Sequence, residues 1–347
     1  MPAGSKTGPS DVKRINLALQ GGGAHGAFTW GVLDRLLEEP RLQIEGISAT
    51  SAGAMNAAVT ASGMALGGPE GARRALGDFW RAIGAAARTS PLQPSVFDRF
   101  MRNHRLDFSP TFLAFDMVVR TLSPYQFNPF AFNPLRDVVE KAVDFAALRD
   151  PAAPVKLFLC ATNVRSGKIR IFQNAEMSAD AVMASGCLPF LFQAVEIEGE
   201  AYWDGGYMGN PAIFPLIYNC GTEDVVVVHI NPLERPEIPK SAADIFNRIN
   251  EISFNSSLMR EMRAIEFVSR LIDEGKLADG SMKRMRIHAI EDSATMVGLS
   301  VNSKLNADLE FLEGLFEKGR ARADDWLKET FELIGQRSSV DLRATYL

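Results

Sequence analysis

Apolar and polar positions alternate along this chain in two rhythms, one of short unbroken apolar runs and one of stripes at helical spacing. RINLALQ (14–20) is an apolar run that stops at glycines, which predicts a buried strand. AHGAFTWGVLDRLLEE (24–39) then places Phe28, Val32, Leu33, Leu36 and Leu37 on one face of a helix. LQIEGIS (42–48) reads as a second strand, and 52–64 as a helix of small residues. Strand, loop, helix, strand, turn, helix is how a parallel sheet covered by helices begins. VKLFLCATN (155–163) and DVVVVHIN (224–231) are short, apolar and bounded by turn residues, and fit central parallel strands.

Between 86 and 134 the pattern breaks. Phe97, Phe100, Phe108, Phe112, Phe115, Phe127, Phe130 and Phe132 lie among prolines at 91, 94, 110, 124, 129 and 134. Proline interrupts helices, so an irregular cap inserted into the sheet domain is expected, its aromatics forming either its own core or an apolar lid. Beyond about 240 the chain turns helical. Ile249, Ile252, Met259, Met262, Ile265, Val268 and Ile272 form one stripe, and Leu305, Leu309, Leu312 and Phe316 another. Such stripes serve packing, subunit contact in a homo-oligomer or adsorption at a membrane surface. The organisation expected is a flexible arm at 1–12, a catalytic domain at 13–235 with the cap at 86–134, and a mostly helical extension at 236–347.

Composition narrows the class. The 347 residues are 46% hydrophobic and 23% charged, an ordinary globular balance, with a net charge of −5 that disfavours nucleic acid as a partner. Residues 46–68 carry no charge, but Ser48, Thr50, Ser51, Asn56, Thr60 and Ser62 make them too polar for hydrocarbon, so a buried helix is expected. The first residues contain no apolar signal core, which with this balance reads as a soluble, cytoplasmic protein, at most peripheral to a membrane. Cys160, Cys187 and Cys220 are too few and too irregularly spaced for a disulfide framework or a zinc site.

Three stretches carry chemistry. LALQGGGAHGAF (17–28) spells G-x-G-x-x-G through Gly21, Gly23 and Gly26, a spelling shared by dinucleotide loops and by loops whose N–H groups converge on an oxyanion. A dinucleotide loop needs an acid at the tip of the second strand to hold a ribose. Glu45 falls inside that strand instead. Ala49-Thr50-Ser51-Ala52-Gly53 is one residue from the G-x-S-x-G nucleophile elbow, in which small neighbours let a serine sit in a sharp strand-to-helix turn. Ser51 is also placed as a helix N-cap would be. In YWDGGYMGNP (202–211), Asp204 precedes Gly205 and Gly206, an arrangement that suits either an exposed proton acceptor or an ordinary tight turn. Of the four histidines, His25 lies in the glycine loop, His104 in the cap, and His229 and His288 in apolar strands that suggest structural roles.

Together these stretches resemble the patatin-like phospholipase family, whose pattern is a G-G-G-x-[basic]-G loop, a G-x-S-x-G elbow and a late D-G-[GA]. MASGCLPFLFQAVEIEGEAYWDGG (183–206) is similar to the family's approach to its aspartate, including Ser185, Pro189 and Gly199, and ATNVRSGKIRIF (161–172) to a strand pair. The likeness covers about 14–235, and 252–330 is similar to an extension of some bacterial members. Ala49 replaces the first elbow glycine, and His25 stands where Arg or Lys is usual. The resemblance implies a three-layer α/β/α fold and a serine esterase acting on lipids as a phospholipase A or lysophospholipase. It implies Ser51 as nucleophile, Asp204 as proton acceptor, and an oxyanion hole from Gly21, Gly22, Gly23 and Ala24, with no metal or cofactor. Its alternatives are a catalytically weak lipid-binding scaffold and, remotely, a Rossmann-type nucleotide binder.

Overall fold

The computed structural model describes residues 12–87, 110–278 and 280–347. Residues 1–11 of the expected arm, His104, Phe97, Phe100, Phe108, Pro91 and Pro94 lie outside the described residues, as do the side chains of Phe112 and Phe115.

Eight strands form one sheet: β1 (Lys13–Leu19), β2 (Leu42–Thr50), β3 (Lys156–Asn163), β4 (Ile169–Gln173), β5 (Val195–Ile197), β6 (Glu200–Asp204), β7 (Asp224–Val228) and β8 (Arg286–Ile290). Their order is β5-β6-β3-β2-β1-β7-β8, with β4 also on β3. The pairs β1–β2, β1–β7, β2–β3 and β7–β8 are parallel, whereas β4, β5 and β6 join antiparallel. The sheet is therefore mixed and mostly parallel, covered by helices on both sides.

Strand alternation sorts the core into two layers. Leu17, Leu19, Val226 and Val228 face the cluster that holds Phe28, Leu33, Leu76 and Phe79. Ala18, Val225 and Val227 face the opposite cluster, with Leu258, Met262 and Ile287. Helix α1 (Gly26–Leu37) follows β1, and α2 (Ala52–Ala87) follows β2. The small residues of α2 are buried as expected, and the helix runs past 64 through a break at Gly67 and Gly68, where Gly68 takes φ 62 before Pro69 restarts the turns.

The prolines of the cap start helices as well as stopping them. Pro110–Thr121, Pro124–Phe127 and Pro134–Ala142 each begin on a proline, whose fixed φ and missing N–H suit the first turn. Of the 86–134 aromatics described, Phe130 is 92% and Phe132 70% exposed, so they do not form a core of the cap.

The C-terminal residues are wired into the sheet domain. β8 extends the sheet beside β7, and the helix Leu309–Thr330 lies directly on α1. A Cβ on Gly31 would overlap the Phe316 carbonyl, and one on Gly319 would overlap the Phe28 carbonyl, so these two backbones touch. Arg320 bridges from the same helix to Asp34 of α1 and to Glu38 just past its end. In the helix Ala242–Asp273 the expected stripe divides: Met262 and Ile265 are buried, while Ile249 and Ile252 are exposed. No described helix is long and apolar enough to cross a membrane.

Candidate active site

β3 places the two central residues. β2 runs beside it until Thr50 pairs with Cys160. β6 takes over one residue later, where Asp204 pairs with Ala161. β4 overlaps both ranges and so occupies the other edge of β3, which leaves β2 and β6 on one edge, end to end. The chain thus delivers Ser51 and Asp204 to the same junction from positions 153 residues apart in sequence (204 − 51).

Ser51 makes the turn predicted for an elbow. It has φ 57, is 8% exposed, and lies between the last residue of β2 and the first of α2. Non-glycine residues avoid this conformation, and it persists here because the surroundings hold it. The Ser51 N–H donates to Ser185 Oγ at 3.0 Å. A Cβ on Gly53 would come 2.5 Å from the Leu19 carbonyl, so glycine two residues after the serine lets β1 and α2 meet. Ala49 is fully buried in β2, and its methyl is accommodated in the core cluster.

Asp204 is wholly buried. Its backbone N–H donates to the Cys187 carbonyl at 2.7 Å, and its carbonyl accepts from Thr162 Oγ1 at 2.8 Å. Oδ1 accepts the Gly206 N–H at 2.7 Å, while Oδ2 has no partner. Gly205 lets the turn press on the Cys160 carbonyl, and Gly206 packs against Phe254. Burial raises the Asp204 pKa to about 6, opposed by the Gly206 N–H, the Ser51 hydroxyl and the charge of Lys304. The Ser51 hydroxyl is thus close enough to lower the proton affinity, although Oδ2 forms no hydrogen bond of ordinary geometry.

The glycine loop lies against the serine. A Cβ on Gly21 would stand 2.7 Å from Ser51 Cβ, one on Gly22 would overlap Ile230, and one on Gly26 would reach Ala52 Cβ at 2.8 Å. The Gly21 N–H is taken by Asn210 Oδ1 at 2.7 Å, and its carbonyl by Asn231 Nδ2 at 2.9 Å. Among the described residues no hydrogen bond is formed by the N–H groups of Gly22, Gly23 or Ala24. Of the four N–H groups expected to form an oxyanion hole, that of Gly21 is thus engaged by Asn210 and the other three are not.

His25 is buried, with Nε2 2.8 Å from Ser303 Oγ and its ring edge-on to Phe311. Burial, helped by Lys304, lowers its pKa to about 3, so it is neutral. His229 meets the Tyr346 hydroxyl at 2.7 Å, and His288 sits between Asp224 and Ser339. None of these three contacts Asp204 or Ser51. Glu45 lies inside β2, and its carboxylate accepts the N–H groups of Gly221 and Thr222, which uses up the one acid a ribose reading could have called on.

Sequence reasoning missed the polar scaffold behind the loop. Gln20 Oε1 accepts the N–H groups of Ile230 and Asn231, and its Nε2 donates to the Asn210 carbonyl and Asn255 Oδ1. Lys304 Nζ donates to Asn231 Oδ1 at 2.7 Å. One signal was available for Lys304: it is the single charged residue between Asp292 and Asp308.

The sequence profile described as "Patatin-like phospholipase" matches residues 17–217, more than half of the chain. The protein belongs to that family, and its family places it among lipid hydrolases. No curated protein matches the chain significantly. Among solved structures it is similar to VipD from Legionella pneumophila, at 17% identity and TM-score 0.37, covering 89% of this chain and 67% of that one. It is also similar to full-length ExoU, crystallised with SpcU from Pseudomonas aeruginosa, at 14% identity and TM-score 0.32, covering 97% and 76%.

Proposed function

We propose that the protein is a serine esterase that cleaves acyl esters of lipids through an acyl-enzyme on Ser51. Ser51 Oγ attacks the ester carbonyl carbon and its proton passes to Asp204. The N–H groups of Gly22, Gly23 and Ala24 hold the oxyanion, and Gly21 contributes by placement. Collapse expels the alcohol, which takes the proton from Asp204. Water, deprotonated in turn by Asp204, then releases the fatty acid and restores Ser51. The observation that carries this reading is a buried carboxylate with one unpartnered oxygen, set end to end with a serine in elbow conformation. An aspartate of ordinary pKa is a weak base for a hydroxyl, and the burial that lifts Asp204 to about 6 supports the assignment. Three free donors are a strong complement, since one oxyanion donor is typically worth about 3 kcal/mol.

The test is a fluorophosphonate probe combined with a panel of phospholipids, lysophospholipids and neutral glycerides. One adduct is expected, mapped to Ser51, with fatty acid released by wild type and not by Ser51→Ala. Absence of both in folded protein would favour the lipid-binding scaffold.

Two further outcomes follow. The rate is expected to fall about tenfold per pH unit below pH 6, because protonated Asp204 cannot accept the serine proton. His25→Asn, His229→Phe and His288→Asn, where folded, are expected to stay within about tenfold of wild type, against the roughly 10²–10⁴-fold that a lost general base removes. A folded histidine variant as inactive as Ser51→Ala would overturn the Ser–Asp pairing.

A further inference from the structure

The turn Val301–Leu305 grips the glycine loop at three points. Ser303 Oγ meets His25 Nε2 at 2.8 Å. The Lys304 carbonyl presses on Gly23, which has φ 58 and no room for a Cβ. Lys304 Nζ donates to Asn231 Oδ1 at 2.7 Å, and the other end of that amide, Nδ2, donates to the Gly21 carbonyl at 2.9 Å. An amide is free to flip unless both ends are assigned, and an ammonium has only donors, so Lys304 forces the Asn231 oxygen toward itself and the amide nitrogen toward Gly21. His25 is neutral, so the cation nearest this loop comes from the C-terminal residues.

We propose that Lys304 is a positioning residue of the active site: its ammonium orients the Asn231 amide that holds Gly21, and so aims the donors at Gly22–Ala24 toward Ser51. The inference rests on the esterase reading above and adds a residue remote in sequence to it.

The same charge acts on the base. Asp204 faces Lys304, the Ser51 hydroxyl, Cys160, Cys187 and Tyr207, with Glu261 beyond Cys160. Lys304 faces Asp204, Glu251, Arg235 and His25, and stands over the Phe254 ring at 5.6 Å. Burial brings its pKa down to about 8, with Glu251 and Asp204 opposing the fall, so the ammonium and the ionised Asp204 coexist between about pH 6 and pH 8, the range that contains the acid limb. A cation beside a carboxylate stabilises the ionised form. Removing it therefore moves the acid limb of the rate profile to higher pH.

The experiment compares fluorophosphonate labelling rates against pH for wild type, Lys304→Met, Lys304→Gln and Lys304→Arg, with Ser51→Ala as control. Lys304→Met is expected to lose about tenfold or more in the bond-forming rate with little change in probe affinity, as fits an oxyanion donor aimed wrongly. Its acid limb should rise by about half a pH unit or more. Lys304→Arg keeps the charge and should hold that limb within about 0.2 unit of wild type. If Lys304→Met does not fold, the Gln and Arg variants carry the same comparison, one without the charge and one with it. Wild-type rates and limbs in both neutral variants overturn the inference. So does an equal loss in all three with no limb movement, which is what a merely structural lysine gives. Wild type left unlabelled at Ser51 overturns the esterase reading itself and this inference with it.

Discussion

Asp204→Asn is expected to silence the enzyme and, at alkaline pH, to make it harder to unfold. Asn keeps an oxygen for the Gly206 N–H, so the turn survives, but it accepts no proton. The expected loss is about 10²–10⁴-fold in acylation rate. The stability change follows from linkage. The folded pKa of about 6 stands above the ordinary 3.8, so folded protein binds this proton more tightly than unfolded chain does. The resulting stabilisation is present in full below pH 3.8 and is lost as pH rises through 6. At pH 8 wild type therefore carries a buried charge that opposes folding by on the order of 3 kcal/mol, which Asn does not carry. Thermal melts at two pH values check it. The variant should melt several degrees above wild type at about pH 8, and the gain should vanish at about pH 4. A variant that keeps a tenth of the activity removes Asp204 as base, and one with no alkaline gain removes the burial penalty.

The second large effect concerns Gly319. Helix propensity alone says that Gly→Ala stabilises a helix interior by about 1 kcal/mol. At Gly319 the methyl would overlap the Phe28 carbonyl, and backbone cannot swing aside as a side chain can, so α1 and the 309–330 helix must separate. Forcing such a contact costs about 1–3 kcal/mol or more, which wins. Gly319→Ala is expected to destabilise by about 2 kcal/mol net, lowering the melting temperature by several degrees. Gly314, on the same helix with nothing within 4 Å of its Cβ position, is the internal control. Gly314→Ala should stabilise by about 0.5–1 kcal/mol. Equal and positive shifts for both would mean the two helices do not touch as described.

How legible each part was depends on the range of the interaction behind it. Ser51, Gly53 and the glycine loop were readable because a strained turn and a close backbone approach restrict the residues at fixed local offsets. Strands β1, β2, β3 and β7 were readable because burial on both faces leaves an unbroken apolar run. The family likeness then joined Asp204 to Ser51, which spacing alone had left open. Asn210, Asn231 and Gln20 were not readable, because a buried amide whose partner lies 189 or more residues away looks like any other polar residue in sequence. β8 was recognisable as a strand, but which strand it joins depends on packing far along the chain. The stripe through Ile249 and Ile252 was legible as a helix face but not as packing, subunit contact or adsorption, and these two residues are exposed, since periodicity reports a helix and not what lies opposite it.

The end-to-end meeting of β2 and β6 along β3 makes one strand the ruler for the pair. Thr50, the residue before Ser51, and Asp204 sit one step of β3 backbone apart, at Cys160 and Ala161, however long the intervening loops are. Natural or engineered insertions in the exposed β3–β4 turn at Ser166–Gly167 should pass with activity intact, whereas one extra residue between 160 and 161 would displace one partner by about 3.3 Å and turn every following side chain of β3 to the other face. Length variation among working versions of this enzyme should therefore crowd into the connecting loops and stop abruptly at five letters, LCATN.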